Sequence, residues 1–288
     1  MERPVPGQRE LLISVRAAGV TPTELLWYPS THTREGAPRL LAVPGHEFSG
    51  VVEAVGPGVN HFKQGDEVFG MNDWFASGAT AEYCVASEDS IALKPSSVTH
   101  TTAAAAPIAA LTSWQGLVDR MHVQPAERVL IVGAGGSVGL MCIQIAVMRG
   151  CHVIASAASS QAEVLKNLGC ERIFDYKSEP FENYVRDIDV IFDAVGGDTL
   201  TRAERVMKPS GRRVTIAADA EATNDAAIKQ AFFIVEPSAS QLANMSTLME
   251  KERLQVFVKK TLPFERAADA YLDKSIGADG IGKLVLVL

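Results

Sequence analysis

Short runs in which apolar and polar residues alternate fill the first hundred positions: ELLISVRAAGV from Glu10, FSGVVEAVGPGV from Phe48, GDEVFG from Gly65 and AEYCVAS from Ala81. β-Branched residues dominate these runs and glycines punctuate them, which predicts a β-rich region with tight turns at Gly56-Pro57-Gly58 and Gly65-Asp66. The texture changes at Thr99. THTTAAAAPIAALTSWQGLVDRM is alanine-rich and predicts a helix, with Thr99 or Thr101 available to cap it. From Glu127 onward short apolar runs (ERVLIVGA, HVIASA, RIFDY, DVIFDAVGG, RRVTIAAD and AFFIVEP) are separated by helical stretches such as VGLMCIQIAVMRG and QAEVLKNLG. Strands apolar along their whole length, alternating with helices, predict a doubly wound, six-stranded parallel sheet buried on both faces. After Pro237, SQLANMSTLMEKERL reads as an amphipathic helix, and GKLVLVL ends the sequence as a strand. That tail fits best if the chain returns to its N-terminal β region.

Composition narrows the function classes. Of 288 residues 47% are hydrophobic and 21% charged, as in globular proteins. Lys plus Arg number 27 and Asp plus Glu 34, a net charge of −7 without any dense basic run, which argues against nucleic acid as a partner. No stretch approaches the ~18 apolar residues of a membrane span and no signal segment is evident, so a cytoplasmic protein is expected. Cys84, Cys142, Cys151 and Cys170 form no C-x-x-C pair and read as buried, reduced thiols.

The clearest chemical motif is VLIVGAGGSVGLMCIQIA, where Gly133, Gly136 and Gly139 leave a strand and enter a helix. Glycine there lets the backbone turn, approach a pyrophosphate and pack helix on strand, while the helix start offers free N–H groups. The end of the next strand, Ala155 to Ser160, carries no carboxylate for a ribose 2′-hydroxyl. With Lys166, Arg172 and Lys177 nearby, this favours NADP(H), and Ser159-Ser160 also suit a helix cap.

A second motif, PGHEFSGVVEAVGPGV, sets His46 beside Glu47 and raises the question of zinc. A catalytic zinc needs three protein ligands and an open position.

With these segments in hand the chain resembles the medium-chain dehydrogenase/reductase superfamily, in particular its zinc-free quinone oxidoreductase-like branch. FKQGDEVFG, PIAALTSWQGL, LGCERIFDYKSE, LKPSGRRVTI and the closing GKLVLVL follow in family order. The resemblance implies a GroES-like catalytic domain at 1–110 and 236–288, and a Rossmann domain at 111–235. It implies NADPH in an interdomain cleft, its nicotinamide near Thr112 and the strand Phe232 to Val235, so that Phe233 and Val235 flank it. Gly136, Ser137 and Val138 would meet the pyrophosphate with Gly133 and Gly139 shaping the loop, Ser156 and Tyr176 would face the 2′-phosphate, Gly196 would border the cofactor, and Lys283 would reach a phosphate. Gln161 stands where the branch often has a lysine for the 2′-phosphate. The family's opening β-hairpin is expected to be missing, through a gene-model artefact or a true truncation.

In the zinc branch the first ligand is a cysteine, and Thr21 occupies its place; PIAALTSW offers no third ligand. No metal is therefore expected, and His46 takes an architectural role or lines the cleft. The expected activity is hydride transfer from NADPH to a quinone or an activated C=C bond, in a homodimer, with Tyr28 and Thr21 as candidate proton donors in AAGVTPTELLWYPS and Glu24 ordering that loop. A zinc-dependent alcohol dehydrogenase and a non-catalytic NADPH-binding protein stand as alternatives.

Overall fold

A computed structural model describes residues 2–39, 42–221, 223–273, 276 and 280–288. It contains twelve strands among the described residues: β1 (Glu10–Val20), β2 (Glu47–Val55), β3 (Glu67–Met71), β4 (Tyr83–Ser87), β5 (Ile91–Leu93), β6 (Arg128–Val132), β7 (His152–Ala157), β8 (Arg172–Asp175), β9 (Ile188–Asp193), β10 (Met207–Thr215), β11 (Val258–Pro263) and β12 (Lys283–Val287). The chain forms two compact units, one from Met1–Leu111 with Glu236–Leu288 and one from Thr112–Val235.

In the first unit seven strands share one sheet in the order β11-β12-β1-β2-β3-β5, with β4 also on β1. The eleven-residue β1 holds three partners because β4 pairs with its first half, Glu10 to Ser14, and β12 with its second, Ala17 to Val20, while β2 runs along Leu11 to Ala18 with register shifts between Leu12 and Ile13 and between Val15 and Ala17. Alternate residues Leu11, Ile13 and Val15 pack with Phe48, Val52, Val68 and Ile91 in its core. The C-terminal strand pairs antiparallel with β1, placing Leu284 opposite Val20. Lys283 and Thr21, one step further along each strand, thereby become neighbours.

The second unit is a parallel sheet in the order β10-β9-β6-β7-β8. Its central strand β6 is buried from Val129 to Val132, and Leu130, Val132, Ile154, Phe174 and Ile191 share a core cluster. The expected six strands become five. AFFIVEP pairs through a single parallel bridge, Thr215 with Phe232, because Phe232 still caps the helix Ala226–Ala231 and Pro237 follows too soon to extend a ladder. The long helix expected after Thr99 is also divided, into His100–Ala104, capped by Thr99, and Pro107–Trp114, with wider turns from Gln115 to Arg120. Pro107 has no N–H for the preceding turn and begins the second helix instead. All four cysteines are free and buried. No helix among the described residues is long and apolar enough to cross a membrane.

Candidate active site

The glycine loop lies in the second unit. Gly133 leaves β6 with φ of +80°, a left-handed value that favours glycine, and its N–H and that of Ala134 donate to the carbonyl of Ser156 at 3.2 and 3.0 Å. A side chain at Gly139 would meet Ala134 Cα at 2.5 Å and the Gly133 carbonyl at 2.6 Å, so the helix Ser137–Met148 can approach the loop this closely only with glycine. No side chain caps this helix at Gly136, and the first N–H groups at Ser137 and Val138 are left for a ligand. A bare helix start behind a glycine turn is the geometry a pyrophosphate requires. These residues fit a nicotinamide dinucleotide, which would be held at Gly136, Ser137 and Val138.

Beyond that loop, Ser156 is buried near the end of β7, Tyr176 is 56% exposed, and Gln161 lies across Gly135, its Nε2 donating to the Gly135 carbonyl at 3.4 Å. Gly196 has φ of +80°, and its loop is held by buried Asp193, which accepts from the N–H groups of Val195 and Gly196 and from the Thr215 hydroxyl at 2.6 Å. Burial pushes the Asp193 carboxyl up, against the pull of these donors. Thr112 is buried in the helix Pro107–Trp114. Phe233 and Val235 are buried, and the Arg120 guanidinium lies 4.7 Å from the Phe233 ring centre.

In the first unit, the loop that follows β1 gathers a separate group of buried polar residues. Pro22 opens a single tight helical turn, Pro22–Leu26, that aims Glu24 inward to zero exposure. Glu24 Oε1 accepts from Gly45 N at 2.8 Å, and Oε2 lies 2.8 Å from His46 Nδ1. His46 Nε2 sits 3.1 Å from the Trp74 carbonyl, which can only accept, so this nitrogen carries a hydrogen and Nδ1 shares a proton with Glu24. Neither ring nitrogen directs a lone pair at a metal. The position of the missing cysteine is occupied by Thr21, whose Oγ1 accepts from Lys283 Nζ at 2.8 Å. The donor set does not fit a catalytic zinc.

Glu47, also fully buried, ion-pairs with Lys283 through Oε1 and accepts from Ile108 N at 2.9 Å through Oε2. Burial pushes its carboxyl up and outweighs the pull of Lys283 and the Ile108 N–H. Lys283, expected to reach a cofactor phosphate, has its ammonium, 7% exposed, on Glu47 and Thr21 because β12 runs alongside β1. Tyr271, behind Glu24, has its hydroxyl 3.0 Å from Thr80 Oγ1, and burial, with the charge of Glu24 second, holds its phenol well above the usual range. Tyr28 is 53% exposed and stacks on His32 at 4.4 Å.

Comparison with known proteins accounts for this arrangement. Residues 7–96 match the alcohol dehydrogenase GroES-like domain family, and residues 168–286 match the zinc-binding dehydrogenase family. The mouse (Mus musculus) quinone oxidoreductase is 30% identical over 310 aligned positions, covering 99% of this chain and 91% of that protein. The chain belongs to the medium-chain dehydrogenase/reductase superfamily. In that superfamily's terms it joins a GroES-like domain to a Rossmann-like parallel-sheet domain. The NADPH-dependent alkenal/one oxidoreductase, chloroplastic, of Arabidopsis thaliana is 31% identical, covering 91% of this chain and 68% of that one. The structure of the quinone oxidoreductase from Coxiella burnetii superimposes with a TM-score of 0.88 at 26% identity, covering 100% of this chain and 93% of that one.

The Lys283–Glu47–Thr21 group and the Asp193–Thr215 latch escaped the sequence reading. A lone lysine heading the otherwise apolar GKLVLVL was the one available signal for the first.

Proposed function

We propose that this protein is an NADPH-dependent oxidoreductase that delivers hydride to a quinone or to an activated C=C bond without a metal. One observation carries the reading: the place of the zinc branch's first ligand holds a threonine hydroxyl bonded to a buried ammonium, and the neighbouring histidine has both nitrogens engaged. The relatives named for quinone and alkenal/one reduction support the same chemistry.

The reduced nicotinamide supplies the hydride when bound. The chain contributes binding and orientation: the helix start at Ser137 neutralises pyrophosphate charge, and Asp193 fixes the Gly196 loop. The absence of a carboxylate between Ala155 and Ser160 supports NADPH over NADH. Acceptors that need little activation suit such a site, since a quinone or enone already carries the electron-poor carbon. The test is steady-state oxidation of NADPH with 1,4-benzoquinone, 9,10-phenanthrenequinone, methyl vinyl ketone and a simple aldehyde. Turnover with the first three well above the aldehyde is expected. No oxidation by any of them overturns the reading.

A further inference from the structure

We propose that Asp219 recognises the free ribose diol of the cofactor's nicotinamide half, on a turn of the second unit that is built to refuse phosphate. The inference rests on the reductase reading above and names a residue that selects which part of NADPH lies there. Every residue it uses belongs to the unit Thr112–Val235.

Strand order decides where a ligand lies on this unit. From β6 the chain steps outward to β7 and β8, then crosses to β9 and β10 on the other side, so the order reverses between β6 and β9. Val132, Asp193 and Thr215 stand in one row across β6, β9 and β10, and the turns that follow them share one rim of the sheet. The first two of these turns touch. A side chain at Gly133 would meet Val195 Cγ2 at 2.9 Å and Ala194 Cβ at 3.4 Å. A dinucleotide with its pyrophosphate on the first turn would therefore carry one nucleoside toward β7 and the other across the second turn, toward β10.

The two turns differ in what they offer. In the first, no side chain among the described residues meets the N–H groups of Ser137 and Val138, and residues 133–138 carry no charge. In the second, the N–H groups of Val195 and Gly196 donate to Asp193, and that of Gly197 donates to Asp219 Oδ2 at 2.8 Å. The helix Gly197–Glu204 thus begins with its donors already engaged by carboxylates of its own chain. Residues 194–199 and 216–221 contribute Asp198, Asp219 and Glu221 and no cation. A phosphate meets neither free donors nor positive charge there, while a hydroxyl meets an acceptor.

Asp219 is placed to be that acceptor. It is exposed on the single turn Ala218–Ala220 after β10, and the Gly197 N–H fixes its carboxylate through Oδ2. Among the described residues no donor is bonded to Oδ1. A Cβ at Gly196, where φ is +80°, would strike Oδ1, so only glycine leaves this oxygen its place. A carboxylate accepts and a ribose hydroxyl donates, the pairing by which dinucleotide sites read a ribose on the adenosine side. In NADPH the adenosine ribose carries the 2′-phosphate, and the free 2′,3′-diol belongs to the nicotinamide ribose. Repulsion of the phosphate and hydrogen bonding to the diol act together, so Asp219 also selects which way round NADPH lies on the rim.

The test measures binding, without turnover, by calorimetric titration of the full-length protein and its Asp219→Ala and Asp219→Asn variants. The probes are NADPH, adenosine 2′,5′-bisphosphate, and an NADPH analogue whose nicotinamide ribose lacks both hydroxyls. Asp219→Ala is expected to weaken NADPH about tenfold or more, as loss of a hydrogen bond to a charged group does, and to leave adenosine 2′,5′-bisphosphate within about twofold. That retained binding shows the variant folded. Asp219→Asn keeps an amide oxygen for the Gly197 N–H but has no charge and no second acceptor, so it should lose nearly as much as Asp219→Ala. The dideoxy analogue should bind the wild type about tenfold more weakly than NADPH, and Asp219→Ala should not distinguish the two. Wild-type NADPH affinity in Asp219→Ala overturns the proposal, and so does wild-type affinity in Asp219→Asn, which would leave Asp219 only holding the turn. Equal weakening of NADPH and adenosine 2′,5′-bisphosphate also overturns it, because the second has no nicotinamide ribose. Each of these outcomes leaves the reductase reading standing. A wild type that binds neither ligand removes that reading and the proposal with it.

Discussion

Replacing Lys283 by Met should destabilise the protein in a way that depends steeply on pH. Among the described residues the substitution removes the one cation paired with Glu47 and leaves a carboxyl of zero exposure beside the neutral donor Ile108 N–H. Breaking a buried pair from one side typically costs about 3–5 kcal/mol, because a lone charge stays behind. Glu47 can escape that cost by taking a proton, and burial already raises its folded-state pKa above the ordinary 4.5. Between the ordinary value and the raised one the folded state holds a proton that the unfolded state has released, so stability falls as pH rises, by at most about 1.4 kcal/mol per pH unit. At pH 4.5 the variant should therefore lie within about 1–2 kcal/mol of the wild type, and at pH 8 it should approach the full one-sided cost. Urea unfolding followed by circular dichroism at the two pH values measures the difference. Adding Glu47→Gln, which keeps an acceptor for Ile108 and carries no charge, should recover at least half of the loss at pH 8. An equal loss at both pH values, or a double variant no better than the single one, would refute the reasoning.

Three further outcomes follow from backbone geometry and charge. Gly139→Ala places a Cβ 2.5 Å from Ala134 Cα and 2.6 Å from the Gly133 carbonyl, so the loop must shift; NADPH affinity by fluorescence titration should drop about tenfold or more, and unchanged affinity would discount the loop as the phosphate site. Gly45→Ala sets an L residue at φ of +86° with its Cβ 2.4 Å from Thr80 Oγ1, which should cost at least about 1–2 kcal/mol and lower Tm by several degrees. Gln161→Lys restores a cation beside Gly135 and should raise the ratio of kcat/KM for NADPH over NADH about tenfold, through one charge-assisted bond to the 2′-phosphate.

The periodicity made both sheets legible. The four alternating runs in the first hundred residues became β1 to β4, with the short β5 unforeseen, and the apolar runs from Arg128 became the parallel strands β6 to β9, because burial on one face or on two leaves different patterns. The glycine spacing was readable for a similar reason: close approach of backbone to backbone excludes every side chain, and Gly139 shows that constraint directly. Phe232 to Val235 had the composition of a strand and formed one bridge, since ladder length is set by the helix before it and Pro237 after it. Lys283 lay furthest beyond the reach of sequence. It meets Thr21 across 262 residues, through a β1–β12 register that no local pattern encodes, and this register takes its ammonium to Glu47. His46 was open to the same uncertainty until Glu24 and the Trp74 carbonyl were found on its two nitrogens.

The central claim is reduction without a metal, with an ammonium-backed hydroxyl in place of a zinc ligand. The most direct test is the rate of NADPH-dependent reduction of methyl vinyl ketone after exhaustive dialysis against a strong chelator, with metal content measured on the same sample. An unchanged rate is expected in protein that contains far less than one metal ion per chain. A rate lost on dialysis and restored by stoichiometric zinc would contradict it.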